Sequence, residues 1–327
     1  MNAKRRLLAR VLTGIGLLLS ISAAWPQSPS YPNRPIRLIV PFPPGGAVDP
    51  IARSIAQKLE QTWGQPVLID TKAGAATIIG TEIVAKAAPD GYTVILVATS
   101  FTVNAAMYSK LPYDPVKDFT PISLVSRLPN MLVVNPQVPV NSVKELIDYL
   151  KSRPGQVNFS SIGNGTTQHL AGELFKSMAG VNMVHVPYKG SGPSMMSVVS
   201  GETSVTFDSI FLLTPQVKAG KLRALAATGT QRSPVAPNLP TVSESGLPGF
   251  NVGGWVGFLA PGGMPRELVQ KWYGEVSRIL QLPEIRDRQI SQGLEPVGGT
   301  PEQFAEFIKA EIAKWSTVAK QAGIKLD

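Results

Sequence analysis

The sequence predicts an α/β protein with two lobes, each built on a mixed, mainly parallel sheet flanked by helices. Three observations lead to this prediction. Apolar, β-branched segments of strand length alternate with segments of helical periodicity. The chain has 327 residues, 43% of them hydrophobic, which is enough for two cores. A Pro- and Gly-rich stretch over 233–254 is typical of a loop, and we expect it to return the chain to the first lobe.

The first 24 residues have the layout of a secretory signal peptide. Residues 1–6 are basic and contain no acid, an apolar stretch follows from Leu7 to Ala23, and Ser22-Ala23-Ala24 offers small residues for cleavage. A transmembrane anchor is the alternative, although the apolar run is short for crossing a bilayer. We therefore expect export to the periplasm and a mature chain that begins near Trp25.

Charge and residue content disfavour several classes of function. The formal net charge is +9, of which the predicted signal peptide supplies +4, so the mature part carries about +5. These charges are dispersed and do not alternate with aromatic residues, so nucleic-acid binding is not expected. The chain has no cysteine and two histidines, which excludes thiol catalysis and disfavours a histidine-rich metal site. We expect neither a cofactor nor a metal ion.

The first lobe is predicted over residues 25–130 and again over 251–327. Its strands are rich in apolar residues and lie at Ile36–Phe42, Pro66–Asp70, Tyr92–Ser100 and Trp255–Ala260. Helices follow the N-cap Asp49 and the capping box formed by Thr300 and Gln303. A further helix is predicted to open within 74–80. The first lobe is therefore discontinuous in sequence.

The second lobe is predicted as one continuous stretch over residues 131–250. Its strands lie at Met131–Asn135, Phe159–Ile162, Val184–Tyr188, Val205–Asp208 and Leu222–Thr228. Ser142 and Glu145 form a capping box at the start of a helix. The two places where the chain crosses between lobes are expected to act as the hinge.

Two glycine-rich turns, each leading from a strand into a helix, are the most informative motifs. One lies within residues 41–50 and the other within 157–170. The free N–H groups at a helix start favour negative charge, and glycine removes the Cβ that would keep a ligand away from them. Each turn alone is also compatible with an ordinary connecting loop. Two such turns on different lobes predict a jaw that closes on a small anion such as a carboxylate.

Several polar side chains lie near these turns. Ser100 and Asn104 follow a strand end, where they can contact a ligand or form a turn. Asp208 ends a strand and can bond to the following loop or accept from a ligand ammonium or hydroxyl group. His169 lies in the first turn of a helix, where a neutral imidazole that caps the loop is favoured over a base. His185, in an alternating strand, is interpreted as structural.

Catalytic motifs are poorly represented, so we expect a protein that is not an enzyme. The sequence has no Gly-x-Ser-x-Gly elbow, no phosphate-binding loop and no Gly-x-Gly-x-x-Gly fingerprint. Gly190-Ser191-Gly192-Pro193 is superficially similar to an elbow, but a proline near a helix start explains it better. A secreted hydrolase remains the alternative from another class.

Seven motifs, in order along the mature chain, resemble those of the solute-binding proteins of tripartite tricarboxylate transporters, the Bug-type receptors. They lie at Tyr31–Ile36, Pro41–Asp49, Pro89–Thr93, Ser161–Leu170, Val186–Gly190, Pro240–Gly246 and Trp255–Pro261. The resemblance implies a Venus-flytrap fold of the type II periplasmic-binding class. It also implies a small organic acid as ligand and the permease subunits of a membrane transporter as partners, with the receptor itself a monomer.

The resemblance also implies which residues hold the ligand. The two glycine turns would bind a carboxylate group of the ligand. The far end of the ligand would contact residues near the end of the strand at 205–208. Carried over to this chain, these positions are Phe42, Gly45, Gly46, Ala47, Ser161, Gly163, Gly165, Thr166 and Asp208. Together with Ser100 and Asn104 they form the predicted site.

The loop at 71–77 departs from the family pattern. Family members commonly carry Asn-Arg-Pro-Gly-Ala-Gly-Gly there, whereas this chain has Thr-Lys-Ala-Gly-Ala-Ala-Thr. Ala76 and Thr77 in place of glycines should narrow the space near the ligand. We predict a periplasmic receptor that delivers an organic acid to a permease. A receptor that reports to a signalling kinase would use the same ligand chemistry.

Overall fold

The structure, a computed structural model, describes residues 31–44 and 48–323. The predicted signal peptide and the turn residues Gly45, Gly46 and Ala47 lie outside the described residues. The strands are β1 (Ile36–Val40), β2 (Val67–Thr71), β3 (Thr93–Ala98), β4 (Phe119–Leu128), β5 (Asn130–Val134), β6 (Asn158–Ser161), β7 (Val184–Pro187), β8 (Val205–Ser209), β9 (Arg223–Ala227), β10 (Gly254–Pro261) and β11 (Glu295–Pro296).

Helices alternate with these strands as the sequence predicts. They are α1 (Val48–Trp63), α2 (Ile78–Ala85), α3 (Ser100–Met107), α4 (Val143–Lys151), α5 (Thr167–Ala179), α6 (Ser191–Ser200), α7 (Ile210–Lys218), α8 (Arg266–Leu280), α9 (Pro283–Ser291) and α10 (Pro301–Ala322). None of the helices in the described part of the chain combines the length and apolar character that a bilayer span requires.

The strands form two mixed sheets. The first has the order β11-β4-β10-β3-β1-β2, with β1 parallel to β2 and β3, whereas β10 is antiparallel to β3 and β4. The second has the order β7-β6-β8-β5-β9, with β6 parallel to β7 and β8, and β5 antiparallel to β8 and β9. The parallel pairs are connected through strand–helix–strand units. The antiparallel strands are those next to the two places where the chain passes from one sheet to the other.

The crossings between the sheets are short and tied to each other. β4 of the first sheet ends at Leu128 and β5 of the second begins at Asn130. Thr228, just after β9, donates its backbone N–H to the Asn130 carbonyl at 3.0 Å, and its hydroxyl also hydrogen-bonds to the Val252 carbonyl. Val252 N in turn donates to the Thr228 carbonyl at 2.8 Å. The lobe boundaries at 130 and 250 stay predictions.

Helix α10 contributes to both hydrophobic cores. Phe304 and Ile308 in its first half pack with Trp255 among the apolar side chains of the first sheet. Trp315 and Val318 in its second half belong to the core of the second sheet. One long helix therefore packs against both sheets.

Two predicted boundaries are wrong, both next to the candidate site. The strand predicted to reach Ser100 ends at Ala98, and Ser100 starts α3 instead. The hydroxyl of Thr99 accepts the backbone N–H of Trp255 at 3.0 Å, so a contact 156 residues away in the chain fixes this turn. The helix predicted to follow Asp49 as its N-cap already includes Val48, and Asp49 lies in its first turn. The helix predicted to open within 74–80 does begin there, at Ile78, after a short 3₁₀ turn over Ala75–Thr77.

Candidate ligand-binding site

A cavity of about 540 Å³ lies between the ends of the two sheets. The first sheet and its helices contribute residues such as Phe42, Ser100 and Trp255, and the second contributes Gln168 and Asp208. The volume falls within the range of about 300–1,000 Å³ that is usual for small-molecule sites. Phe42, Ser100 and Asp208 were predicted as site residues, and the structure brings them to one cavity.

The N-terminus of α5 provides unpaired hydrogen-bond donors at this cavity. Thr166 is the N-cap, and Thr167 and Gln168, the first two helical residues, line the cavity. The backbone N–H groups of Thr167 and Gln168 have no acceptor among the described residues, because the first bond of the helix runs from Leu170 N to Thr166 O. Two N–H groups and the helix dipole therefore favour an anion here.

The turn before α5 is held by its own hydrogen bonds. The Thr166 hydroxyl donates to the Gly163 carbonyl at 2.7 Å and accepts from the backbone N–H of His169 at 3.4 Å. Ser161 Oγ accepts the backbone N–H of Gly163 at 3.1 Å. Gly163 and Gly165 take φ values of +134° and +71°, which favour glycine. These four predicted residues shape the turn outside the cavity lining, and direct contact with a ligand stays a prediction for each.

A stacked pair of histidines lies beneath this turn. The ring centroids of His169 and His185 are 3.8 Å apart with 13° between the planes. His169 Nδ1 accepts the backbone N–H of Gly165 at 3.1 Å, and His185 Nε2 lies 2.7 Å from Ser161 Oγ. Burial lowers the pKa of His169 to about 3 and that of His185 to about 4, and the mutual proximity of the rings adds to the effect on His169. Both are neutral structural groups, which confirms the interpretation from sequence.

Asp208 closes β8 with one carboxylate oxygen bonded and the other unpaired. Oδ1 accepts the Gln168 side-chain amide at 3.1 Å and the backbone N–H of Ser209 at 2.7 Å. Oδ2 is buried without a hydrogen-bond partner among the described residues. Burial raises the pKa of this carboxyl, while the Ser209 N–H and the side chains of Gln168 and Ser191 act in the opposite direction. The bond expected to a following loop is instead made to Ser209, the last residue of β8 and the N-cap of the next helix, and it leaves one oxygen for a ligand.

Asn104 acts at a distance from the cavity. This side chain is buried, and its Nδ2 donates to the Ala76 carbonyl at 2.6 Å. Thr77 Oγ1 lies 3.3 Å from Ser100 Oγ, so the 74–77 loop is linked to a residue that lines the cavity. The structure thus places Asn104 behind the site, supporting the loop, and Ser100 at the site.

Sequence reasoning missed several polar and aromatic residues of the cavity lining. Gln168, Asn130 and Trp255 line the cavity but were absent from the predicted set. Gln168 is the second residue of the helix that follows the second glycine turn, a position whose N–H is free in any helix, so its place in the turn motif was an available signal. Asn130 and Trp255 reach the cavity only because the chain crossings meet there.

The electrostatics of the cavity are unusual for an anion site. Among the described residues that line it, Asp208 is the only one with an ionisable side chain. A bound carboxylate would therefore be held by N–H groups and hydroxyls rather than by an ion pair with lysine or arginine. Across the described residues, no cluster of three or more His, Asp or Glu side chains is arranged to hold a metal ion.

A cavity between two α/β sheets, with unpaired helix N–H groups on its wall, defines the class of two-lobed solute-binding proteins. Comparison with known proteins identifies the family: residues 51–324 match the model described as "Tripartite tricarboxylate transporter family receptor". The chain belongs to this family and has the type II periplasmic-binding-protein fold of its members.

Individual relatives agree with this assignment. Protein BugT of Bordetella pertussis is 36% identical, covering 98% of this chain and 99% of its own length. A structure of Rpa4515 from R. palustris with adipate is 38% identical with a TM-score of 0.74, covering 90% of this chain and 99% of that one. MatC from Rhodopseudomonas palustris, with bound malate, is 34% identical with a TM-score of 0.70, covering 88% and 99%.

Proposed function

We propose that this chain is a periplasmic receptor that captures a small organic acid between its two lobes and delivers it to the permease subunits of a tripartite transporter. The observation that carries the proposal is the pair of unpaired N–H groups of Thr167 and Gln168 on the cavity wall. The similar structures that contain adipate and malate support the same ligand chemistry. Export through the predicted signal peptide would place the receptor in the periplasm, as a monomer.

In this proposal one ligand carboxylate accepts from the start of α5. The first glycine turn, with Gly45, Gly46 and Ala47, would supply further N–H groups from the other lobe. Charge-assisted hydrogen bonds contribute about 1.5–3 kcal/mol each. A few such bonds, less the ordering of ligand and lobes, correspond to roughly micromolar affinity.

A thermal-shift screen of the mature protein, stripped of ligand by unfolding and refolding, tests the function. The panel would hold dicarboxylates, tricarboxylates, amino acids and aromatic acids, with the matching alcohols as controls. We expect a concentration-dependent rise in melting temperature for one class of acids and none for the alcohols. Ester hydrolysis by the purified protein without such a rise would favour the hydrolase alternative.

Substitution at the helix start tests the proposed site. Thr167→Pro removes one backbone N–H at a position where proline is compatible with a helix, and the extended backbone of Thr166 (φ −80°, ψ 160°) tolerates a following proline. Thr167→Ala keeps the N–H and is the matched control. We expect Thr167→Pro to weaken acid binding roughly 10- to 100-fold by calorimetry, and Thr167→Ala to change it little. Equal affinities for the two variants would mean that the Thr167 N–H does not bind the ligand.

A further inference from the structure

The unpaired oxygen of Asp208 is the feature of the cavity that carboxylate capture does not explain. The residue is 2% exposed, and Gln168 Nε2 and Ser209 N both bond to Oδ1. The Ser191 side chain, which lines the same cavity, is a further donor near this carboxylate. Asp208 lines the cavity, and its buried Oδ2 has no hydrogen-bond partner in the described part of the protein. A buried acceptor without a partner is rare in folded proteins and calls for a ligand, water or ion to complete it.

Among the described residues that line the cavity, none is a lysine or arginine that could pair with this carboxylate. The neighbouring strands β5 (NMLVV) and β6 (NFSS) and the helix α6 (SGPSMMSVVS) contain no charged residue. Helix α5 carries His169, Glu173 and Lys176, with Glu173 paired to Lys176, and β7 carries His185. Lys218 lies in the last turn of α7, at the opposite end of that helix from Asp208. None of these groups hydrogen-bonds to Asp208, and the two histidines are neutral above about pH 4.

An organic dianion would therefore bring a negative group into a cavity whose only described ionisable residue is itself an acid. Two carboxylates that share a site cannot both stay ionised without a compensating charge. A single proton between them removes the repulsion and gives Oδ2 the hydrogen bond that it lacks.

We infer that Asp208 Oδ2 and the far end of the ligand share one proton. The site therefore discriminates between acids by whether the ligand or the solvent supplies this proton. This inference rests on the proposed receptor function. A ligand with a hydroxyl or ammonium group at its far end brings the proton and donates it in a hydrogen bond. A plain dicarboxylate binds together with one proton taken from solvent, which ends on the Asp208–carboxylate pair.

The upward shift of the Asp208 pKa, caused by burial, agrees with this assignment, because it makes the carboxyl easier to protonate. Gln168 and Ser209 keep Oδ1 in the acceptor role. The shared proton therefore falls on the Oδ2 side, where the ligand is expected.

Matched ligands that differ only at one end test the inference. The series are adipate, 6-hydroxyhexanoate and 6-aminohexanoate, and the four-carbon set of succinate, 4-hydroxybutyrate and 4-aminobutyrate. Affinity is measured by calorimetry between pH 5.5 and 8.0, in two buffers with different ionisation enthalpies. We expect dicarboxylate affinity to fall about tenfold per pH unit, with uptake of one proton. The hydroxy and amino acids should bind without proton uptake and with little pH dependence.

Asp208→Asn separates this inference from the function itself. The amide can donate to a ligand carboxylate, so we expect dicarboxylate binding to become independent of pH and ammonium ligands to bind at least tenfold more weakly. Asp70→Asn, at the edge of the first sheet where Asp70 pairs with Arg37, is the control and should change neither property.

The outcomes that contradict the inference are distinct. Dicarboxylate binding without pH dependence or proton uptake in the wild-type protein would overturn it while leaving the receptor function intact. Absence of binding for every acid in the wild-type protein would overturn the proposed function and the inference together.

Discussion

The turn at residues 163–166 and the loop at residues 74–77 both require positive φ angles near the ligand cavity, but they meet this requirement differently. The first uses Gly163 and Gly165, which adopt such angles without steric cost. The second has Ala75, Ala76 and Thr77 at φ values of +44°, +50° and +79°. Each of these residues costs about 1–2 kcal/mol in the left-handed region.

Tertiary hydrogen bonds offset the strain in the 74–77 loop. Asn104 donates to the Ala76 carbonyl, Thr81 Oγ1 donates to the Thr77 carbonyl at 2.9 Å, and Ser100 contacts the Thr77 hydroxyl. The glycine turn instead is completed by local bonds from Thr166 and Ser161 and rests on the histidine pair. The comparison shows that similar backbone shapes can be fixed by residue type or by distant partners.

The largest expected difference between the two regions is their response to acid. His169 and His185 stay neutral in the folded protein, whereas in the unfolded chain they take up protons below about pH 6.5. The unfolded state then binds more protons, so stability falls as pH decreases. At pH 5 the free energy of unfolding should be lower than at pH 7.5 by about 2 kcal/mol for each histidine.

Urea denaturation at the two pH values measures this effect. The variant His169→Gln should be less stable at pH 7.5 but should lose about half of the pH dependence. A stability that does not change between pH 7.5 and 5 would mean that the histidines titrate normally in the folded state. The 74–77 loop has no titratable residue and should contribute nothing to the change.

The second largest effect is expected from removing Asn104, a side chain distant in sequence that supports the 74–77 loop. Asn104→Ala deletes the buried side chain that donates to the Ala76 carbonyl, and the lost bond and the space left behind should lower the free energy of unfolding by about 1–3 kcal/mol. Ser100→Ala removes only the longer 3.3 Å contact to Thr77 and should lower it by less than about 1 kcal/mol. Denaturation curves at pH 7.5 would compare the two. Equal losses would show that the loop does not depend on Asn104 in particular.

The smallest effects come from exchanging the residue types of the two regions. Gly165→Ala introduces a Cβ at φ +71° and should destabilise by about 1–2 kcal/mol. Ala76→Gly relieves the same kind of strain, and after the larger entropy of the unfolded chain is subtracted it should stabilise by about 0.5–1 kcal/mol. Melting temperatures that fall for Gly165→Ala and rise for Ala76→Gly would confirm the comparison between the two regions. A destabilising Ala76→Gly would show that the loop is not strained in solution.

Local patterns were enough to predict most of the fold. The capping boxes at Ser142 and Thr300 form as predicted, with Glu145 N bonding to Ser142 Oγ and Gln303 N to Thr300 Oγ1. Such signals work because both partners lie within one turn of helix. The two glycine turns were likewise visible, and Thr166 caps its helix.

The details of the site depended on contacts between distant segments. Asp208 meets Gln168 across 40 residues, and Asn104 meets Ala76 across 28. Sequence reasoning left open whether Asn104 contacts a ligand or forms a turn, and its contact with a ligand stays a prediction. It overlooked Gln168, because periodicity tells which face of a helix is apolar but not which segment lies opposite it.

The sequence by itself determined the alternation of strands and helices, several of the helix starts and the family, since these reside in short-range residue patterns. Only the tertiary structure decided where the loop residues Ala75–Thr77 take left-handed backbone and which oxygen of Asp208 stays unpaired. The physical reason is that strain and unsatisfied polar groups persist only when surrounding elements hold them in place. Those elements meet at the cavity only after the two sheets have formed.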